Sequence, residues 1–403
     1  MLFLLAAACA AMAVDAAVPP PKDDHIVAGY LPEWRYEGAN FDVMARHLTH
    51  LILFSLEPGA DGSIQARDRL PRPKIMKNAR KWTRRHGTRL QMCFGGNGRS
   101  SGFSAMVASD RARARFVANV VALCDEHDLD GVDYNWEYPG YVMGGGYQAP
   151  AQVRKDYDGL LALIRETRAA FDARRPRPPV RRHVTMAYYP DGKQEAFLNA
   201  KGFAPYLDAM HSMAYDQTDK QWGNHHSSRA FARHVVQQAV ESGLPPRKVT
   251  LGVPFYGRHA RGWISYEDLV QRGPGTRNPD RARLQPGDDV APGDSGERVT
   301  FNGVATVANK TALAARHGMG VMVWEVGQDC RLEPVTRRGT THVRTCPGAV
   351  DDRSASLLAA ITSARLRGDP DALWAWEEAT KGLSNRYKAR KAAKKEAKKK
   401  GEL

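Results

Sequence analysis

A (β/α)8 TIM barrel, built as a single domain without a full-length α+β insertion domain, is the fold this 403-residue sequence predicts. Three observations carry that expectation. Eight short apolar, β-branched runs recur between residues 25 and 326, helical patterns fill the intervals, and one run carries a polar residue at every second position. Strands alternating with helices imply parallel pairing, and eight such units are the number that closes a barrel.

Taken in order, the strands are expected at 25–32 (HIVAGYLP), 48–56 (LTHLILFSL), 90–96 (LQMCFGG) and 129–137 (LDGVDYNWE). The second half supplies 184–189 (VTMAYY), 209–216 (AMHSMAYD), 249–257 (VTLGVPFYG) and 320–326 (GVMVWEV). Helical periodicity is plainest at 110–126 and 151–173, and 355–366 is placed as the closing helix. The barrel domain is therefore set at 25–366.

The flanks read differently. Residues 1–17 have the apolar run and small-residue cleavage options (Ala11-x-Ala13, Val14-x-Ala16) of a secretory signal peptide, followed by a Pro triplet and lacking only a basic start. The expectation is a secreted, extracellular protein. No other run approaches the ~18 apolar residues a membrane span needs. Residues 367–403 form a C-terminal extension, Lys-rich from about 386. From Lys381 onward, ten Lys/Arg against two Glu supply +8 of the net +15. Such a stretch is a solvated frayed helix or disordered tail, with a polyanion-binding arm as the functional alternative. Its final KGEL is one residue from an endoplasmic-reticulum retrieval signal. Cys330 and Cys346 bracket a short polar loop and are the candidate disulfide, while Cys93 and Cys124 fall in strand and helix patterns where buried thiols are expected. No cysteine spacing suits zinc, and neither metal nor organic cofactor is implied. Nothing points to specific nucleic-acid binding or to an oligomer; a monomer is expected.

In the fourth strand, Leu129 to Gly140 reads LDGVDYNWEYPG. Alternation turns Val132, Tyr134 and Trp136 toward the helices and leaves Asp133, Asn135 and Glu137 inside the barrel. Burying such a row is costly unless its members are partnered or used, and it runs toward the strand's C-terminal end, where barrel enzymes place catalytic groups. Other strand ends collect Tyr30 and Trp34, Gly95-Gly96, Tyr188-Tyr189, Met213, Tyr215 and Asp216, Tyr256 and Arg258, and Trp324-Glu325. Aromatic rings around an acidic row suit a sugar, whose apolar faces stack while its hydroxyls are read by polar groups.

DGVDYNWEYP closely resembles the DGxDxDxE strand-four signature of glycoside hydrolase family 18, the chitinases and their relatives. CFGG is similar to that family's SxGG motif with Cys for Ser, and FSAM, MAYD, GVPFYGR, FNGVAT and GVMVWE follow in family order. The resemblance implies hydrolysis of β-1,4-linked N-acetylglucosamine polymers, chitin or its oligosaccharides, with Glu137 as general acid and base. The substrate's own 2-acetamido oxygen would attack the anomeric carbon, giving an oxazolinium ion and retention. By the same resemblance the catalytic set is Glu137, Asn135, Asp133 and Tyr215, the last holding the acetamide carbonyl. Tyr30, Gly96, Trp136, Met213, Asp216, Arg258 and Trp324 would contact the sugar, with Trp324 flooring the reacting subsite and Asp130 giving structural support. Asn135 departs from the pattern, because the family has an aspartate there. An amide oxygen still accepts an N–H but carries no charge to stabilise the oxazolinium. Two alternatives follow: a weakly active or inactive chitin-binding lectin, and an endo-β-N-acetylglucosaminidase acting on N-glycan cores, some of which use asparagine in this role. The short, Gly/Pro/Asp-rich segment 258–300 suggests a shallow cleft and endo-type cutting, 144–146 reads as a surface loop, and Asn309-Lys310-Thr311 is a glycosylation sequon.

Overall fold

The computed structural model describes residues 25–175, 181–222, 224–260, 262–272, 289–292, 298–329, 335–337, 340–342 and 356–367. The leader, the Lys-rich extension and the Cys330/Cys346 pair fall outside these residues.

Eight parallel strands form the barrel: β1 (Val27–Pro32), β2 (His50–Pro58), β3 (Arg89–Gly95), β4 (Gly131–Asn135), β5 (His183–Tyr188), β6 (Ala209–Ser212), β7 (Val249–Pro254) and β8 (Gly320–Trp324). Each pairs with its neighbours in sequence, and β1 closes the ring by pairing with both β2 and β8. The helices that follow them are α1 (Phe41–His47), α2 (Pro73–His86), α3 (Asp110–Glu126), α4 (Pro150–Ala173), α5 (Lys193–Ala200), α6 (Arg229–Glu241), α7 (Val304–Arg316) and α8 (Leu357–Leu366). The expected strands all form, with ends shifted by a few residues. The fourth and sixth are shortest relative to expectation, because the chain leaves the sheet at Asn135 and Ser212 to build the rim.

The period of two along each strand divides the core. Leu51, Leu53, Met92, Phe94, Val132, Tyr134, Met186 and Leu251 face outward and join the helices in one large apolar cluster. Tyr30, Ile52, Phe54, Cys93, Ala187, Met213, Tyr215 and Met322 form a second cluster within or above the barrel. Parallel strands covered by helices thus keep a continuous apolar outer face, and chemistry is confined to the inner one. Sequence cues fix the helices. α2 starts on Pro73 and stops at Gly87, whose φ of 69° ends it in the left-handed region. The Ser109 side chain caps α3 by accepting the Ala112 N–H. Asp329 receives the Leu357 and Leu358 N–H groups at 2.9 and 3.0 Å, anchoring α8 after the eighth strand.

Between β7 and β8 the chain makes a small four-stranded antiparallel sheet, ordered Gly262–Ser265, Tyr256–His259, Arg298–Thr300, Val290–Pro292, with a short helix at Tyr266–Arg272. It is an abbreviated α+β unit where no full-length insertion is expected. The 144–146 segment ends the turn of a hairpin that pairs Tyr141–Val142 with Gly146–Tyr147, Gly146 being the first residue of the returning strand. The sequon lies within α7, with Asn309 exposed but Thr311 buried and donating to Val307 O. Cys93 and Cys124 are buried free thiols.

Gly131, the first residue of β4, has φ 149°, and a Cβ there would collide with the His183 carbonyl of the neighbouring strand. Gly131→Ala should therefore lower unfolding free energy by roughly 2–4 kcal/mol, combining an unfavourable φ with backbone displacement. Chemical denaturation checks this; an unchanged midpoint would show that β4 is not held by that contact.

Candidate active site

β4 and the turn after it supply the central row. Asp133 is fully buried, its Oδ2 accepting the Tyr30 hydroxyl at 2.8 Å and its Oδ1 the Thr185 hydroxyl at 2.7 Å. Those donors come from β1 and β5, while Cys93 on β3 adds its thiol. Burial nevertheless dominates, and pushes the Asp133 carboxyl up to about 6. Two residues on, Asn135 donates from Nδ2 to Glu137 Oε1 at 3.1 Å. Its Oδ1 is enclosed with no hydrogen-bond partner among the described residues. Glu137 is half-buried, and loss of hydration lifts its carboxyl to about 7. Hydrogen bonds from Asn135, the Asn97 N–H and Tyr138 pull the other way, and the negative Asp216 adds a smaller upward push. The Glu137 N–H donates to Ser100 Oγ at 3.1 Å, and Ser100 in turn donates to Gly96 O, so the loop after β3 fixes the backbone that carries the acid.

Opposite this row lie groups from β6 to β8. Tyr215 is buried with its hydroxyl against Met322 Sδ at 3.8 Å, a weak partner that leaves the O–H available. Asp216 sits at φ 56°, a left-handed conformation that turns its carboxylate toward Arg258, 3.2 Å from the guanidinium. Burial alone would raise the Asp216 carboxyl; His226, Tyr256 and Arg258 outweigh it and hold it below the usual range. The loop carrying Tyr215 and Asp216 is tied down from behind. Ser227 Oγ donates to Ala214 O at 2.6 Å, while fully buried Lys310 donates to both oxygens of Ser227 and to Asn302 Oδ1. Trp324 ends β8 with its ring 5.6 Å from Tyr30 and 4.7 Å from Phe54, a partly exposed apolar floor. Beneath it, Glu325 is fully buried and paired with Arg35 Nε at 3.0 Å.

Glu137, Asn135, Tyr215, Asp216, Arg258 and Trp324 thus gather at the C-terminal mouth, with Asp133 one layer below. Other expected contacts are placed differently. Trp136 lies on the helix side of the strand, buried and stacked on Phe103 at 5.1 Å and 9°, because alternation outranks its place in the motif. Tyr30 and Met213 are buried in the inner cluster, and the Tyr30 hydroxyl is committed to Asp133 instead of an open cleft. Gly96 contributes backbone: its N–H donates to Asn135 O at 2.7 Å, and a side chain there would strike the Phe54 ring. Asp130 belongs to the opposite end of the strand, bonded by Arg80 and the Leu90 N–H, and supports β4 without touching the row.

Sequence reasoning missed Thr185, Ser100, His226 and the Arg35–Glu325 pair. Thr185 had a usable signal, a polar residue at an inward position of β5. The others act across loops, where spacing carries no register. Among the described residues no cluster of three His, Cys, Asp or Glu side chains is arranged to hold a metal ion.

A half-buried carboxyl whose proton affinity is raised, an amide bonded to it, a tyrosine hydroxyl and a tryptophan floor are the groups that acid catalysis on a sugar would require. The family model for glycosyl hydrolases family 18 matches residues 26–329. "Probable chitinase 2" of Drosophila melanogaster is 24% identical over 311 residues, covering 64% of this chain and 61% of that protein. The "Endochitinase" of Manduca sexta is 31% identical over 173 residues, or 40% and 30% of the two chains. Each alignment therefore spans less than two thirds of the relative's length. Among solved structures, a mutant of Ostrinia furnacalis Group II chitinase catalytic domain 2 in complex with an N-acetylglucosamine pentamer superposes with TM-score 0.65 at 19% identity, covering 86% of this chain and 97% of that one. With its barrel, its strand-four row and a family match over three quarters of its length, this chain belongs to the glycosyl hydrolases of family 18.

Proposed function

We propose that this chain is a secreted, chitinase-like hydrolase that cleaves β-1,4-linked N-acetylglucosamine polymers by substrate-assisted hydrolysis with retention. The observation that carries the reading is Glu137, whose desolvated carboxyl, lifted to about 7, is protonated in about half of the molecules at neutral pH at the mouth of the barrel. Glu137 gives that proton to the glycosidic oxygen as the bond to the anomeric carbon breaks. The 2-acetamido carbonyl oxygen of the same sugar forms the new bond to that carbon. Water, losing its proton to the Glu137 carboxylate, then opens the oxazolinium from the vacated face.

Asn135 suits this chemistry in a particular way. Its Nδ2 already donates to Glu137, and its Oδ1 is unpartnered but enclosed, so the amide holds Glu137 as it stands and would have to turn its oxygen toward the cleft to accept the acetamide N–H. What it lacks is charge, and the nearest buried charge is that of Asp133. Tyr215 aligns the acetamide carbonyl from the other side, and Trp324 carries the apolar face of the ring. The second reading, a chitin-binding lectin, is favoured by Asn135 alone, since an uncharged amide stabilises the oxazolinium less well.

Release of reducing ends from chitotetraose by the wild type and Glu137→Gln tests the activity. Glu137→Gln should lose roughly 10²–10⁴-fold in kcat, the usual weight of a general acid. A wild type that binds the tetramer without turnover would make the protein a lectin, and unchanged turnover in the variant would exclude this mechanism. Asn135→Asp should raise kcat roughly tenfold or more, because it restores a charge worth about 10²–10³ while adding repulsion with Glu137. Tyr215→Phe should lower kcat by roughly 10²-fold, leaving KM within a few-fold; an effect confined to KM would place the hydroxyl outside the transition state.

The pH profile follows from two carboxyls both raised by burial. Glu137 must be protonated to act, so activity should fall as pH rises through about 7. Asp133 must be ionised to stabilise positive charge, so activity should also fall as pH drops through about 6. A narrow bell is expected in kcat/KM, and a flat plateau from pH 4 to about 6 would remove Asp133 from the mechanism.

A further inference from the structure

A second charged region lies on the outer wall of the barrel, far along the chain from every group in the proposed reaction. Residues 67–86 carry nine Lys/Arg and one acid, Asp68, a net +8 in twenty residues that matches the whole Lys-rich tail. Most of this segment is α2, and the helix aligns the charge. Lys74, Lys77, Lys81 and Arg84 follow one another at intervals of three and four, all exposed, over about 15 Å of helix axis. The acids facing this row are Glu126, Asp128 and Asp130, and they are already occupied by Arg67, Arg80 and Arg84. Lys74, Lys77 and Lys81 make no ion pair among the described residues, so the face keeps three uncompensated ammonium groups.

Beside the row is a cleft of about 500 Å³ between α2 and the turn that leads from α3 into β4. Pro71, Pro73 and Met76 are its apolar lining, Glu126, His127 and Asp128 form the opposite wall, and Lys77, Arg80, Lys81 and Arg84 complete it, with both carboxylates engaged by arginines. We propose that the α2 face binds an anionic polysaccharide, one carrying carboxylate or sulfate groups, with a pyranose face against the apolar lining and its anionic groups on the lysine row. Charge complementarity selects a polyanion, and the cleft selects among polyanions. A single-stranded nucleic acid would want exposed aromatic platforms, yet Trp82 is packed against His86 beneath Lys81, while a duplex, which binds through its phosphates, is an outcome of the test below. A membrane would want exposed apolar anchors, and among the described residues the exposed large hydrophobic side chains lie elsewhere, at Trp34, Val142, Met143, Val240, Trp263 and Val290. The proposal does not depend on the chain being an active hydrolase.

The test uses the full-length protein and fluorescently labelled heparin and polygalacturonate oligosaccharides, with neutral dextran and a short DNA duplex for comparison. Wild type should bind the sulfated probe, the carboxylated probe or both at about 100 mM salt, and the pattern names the anionic group recognised. Lys74→Gln/Lys77→Gln/Lys81→Gln should weaken binding roughly tenfold or more and reduce the dependence of log K on log salt by about two to three, near one per lysine removed. Its melting temperature should stay close to wild type, since the three side chains are exposed and without ion pairs, and only Lys81 gives up a surface contact, with the Trp82 ring. A second variant with Lys394, Lys395, Lys398, Lys399 and Lys400 changed to Gln should retain most of the binding. The proposal fails if wild type binds neither acidic glycan, if the helix variant binds as wild type does, if the tail variant alone abolishes binding, or if the DNA duplex binds more tightly than either glycan.

Discussion

Everything at the mouth of this barrel depends on a carboxylate that has been taken out of water. Asp133 sits in the closed interior, and three strands bring it donors: Tyr30 from β1, Cys93 from β3 and Thr185 from β5. Those bonds make its burial tolerable without cancelling it, so its proton affinity rises, as does that of Glu137 above it. The sign of the effect on folding is unfavourable. Both groups bind protons more tightly folded than unfolded, so each lowers stability as pH climbs from the ordinary carboxyl range through about 6 and about 7. The fold accepts that loss at the one strand where a proton is useful, and supports the strand with Asp130, Arg80 and the close contact at Gly131.

The substitution of an amide into the row changes the electrostatics more than the geometry. A second carboxylate at 135 would compete with Glu137 for a proton, and the two would titrate as a pair. With Asn135 between them, Asp133 and Glu137 are separated by a fixed donor, and the row holds one fewer ionisable group. In the proposed reaction that arrangement would favour a proton on Glu137 near neutrality and leave developing positive charge to be met by Asp133 from a layer below. Compared with an aspartate at 135, the hydrogen bond to Glu137 is kept and a charge is withdrawn.

Much of this was legible in the sequence, and the reasons are local. Eight apolar runs separated by helical patterns define the barrel, and the parity of 131, 133, 135 and 137 settles which side chains face inward. The same parity was the better guide for Trp136, which its motif assigns to substrate and its register sends to Phe103. What stayed hidden is non-local. Tyr30 and Asp133 are separated by 103 residues and Arg35 and Glu325 by 290, and no spacing rule links such partners until the barrel closes. The small sheet between β7 and β8 was hidden for another reason: its strands are three or four residues long, too short to show a period.

The claim on which the rest turns is that burial in the barrel, acting against the hydrogen bond from Asn135, raises the Glu137 carboxyl to about 7, so that a large share of it carries a proton at neutral pH. A carbon-13 NMR titration of the Glu137 side-chain carboxyl, assigned by comparison with Glu137→Gln, measures that directly. The account requires a midpoint near 7. A midpoint close to the ordinary glutamate value of about 4.3 would contradict it, because the group would then be an exposed carboxylate with no proton to give.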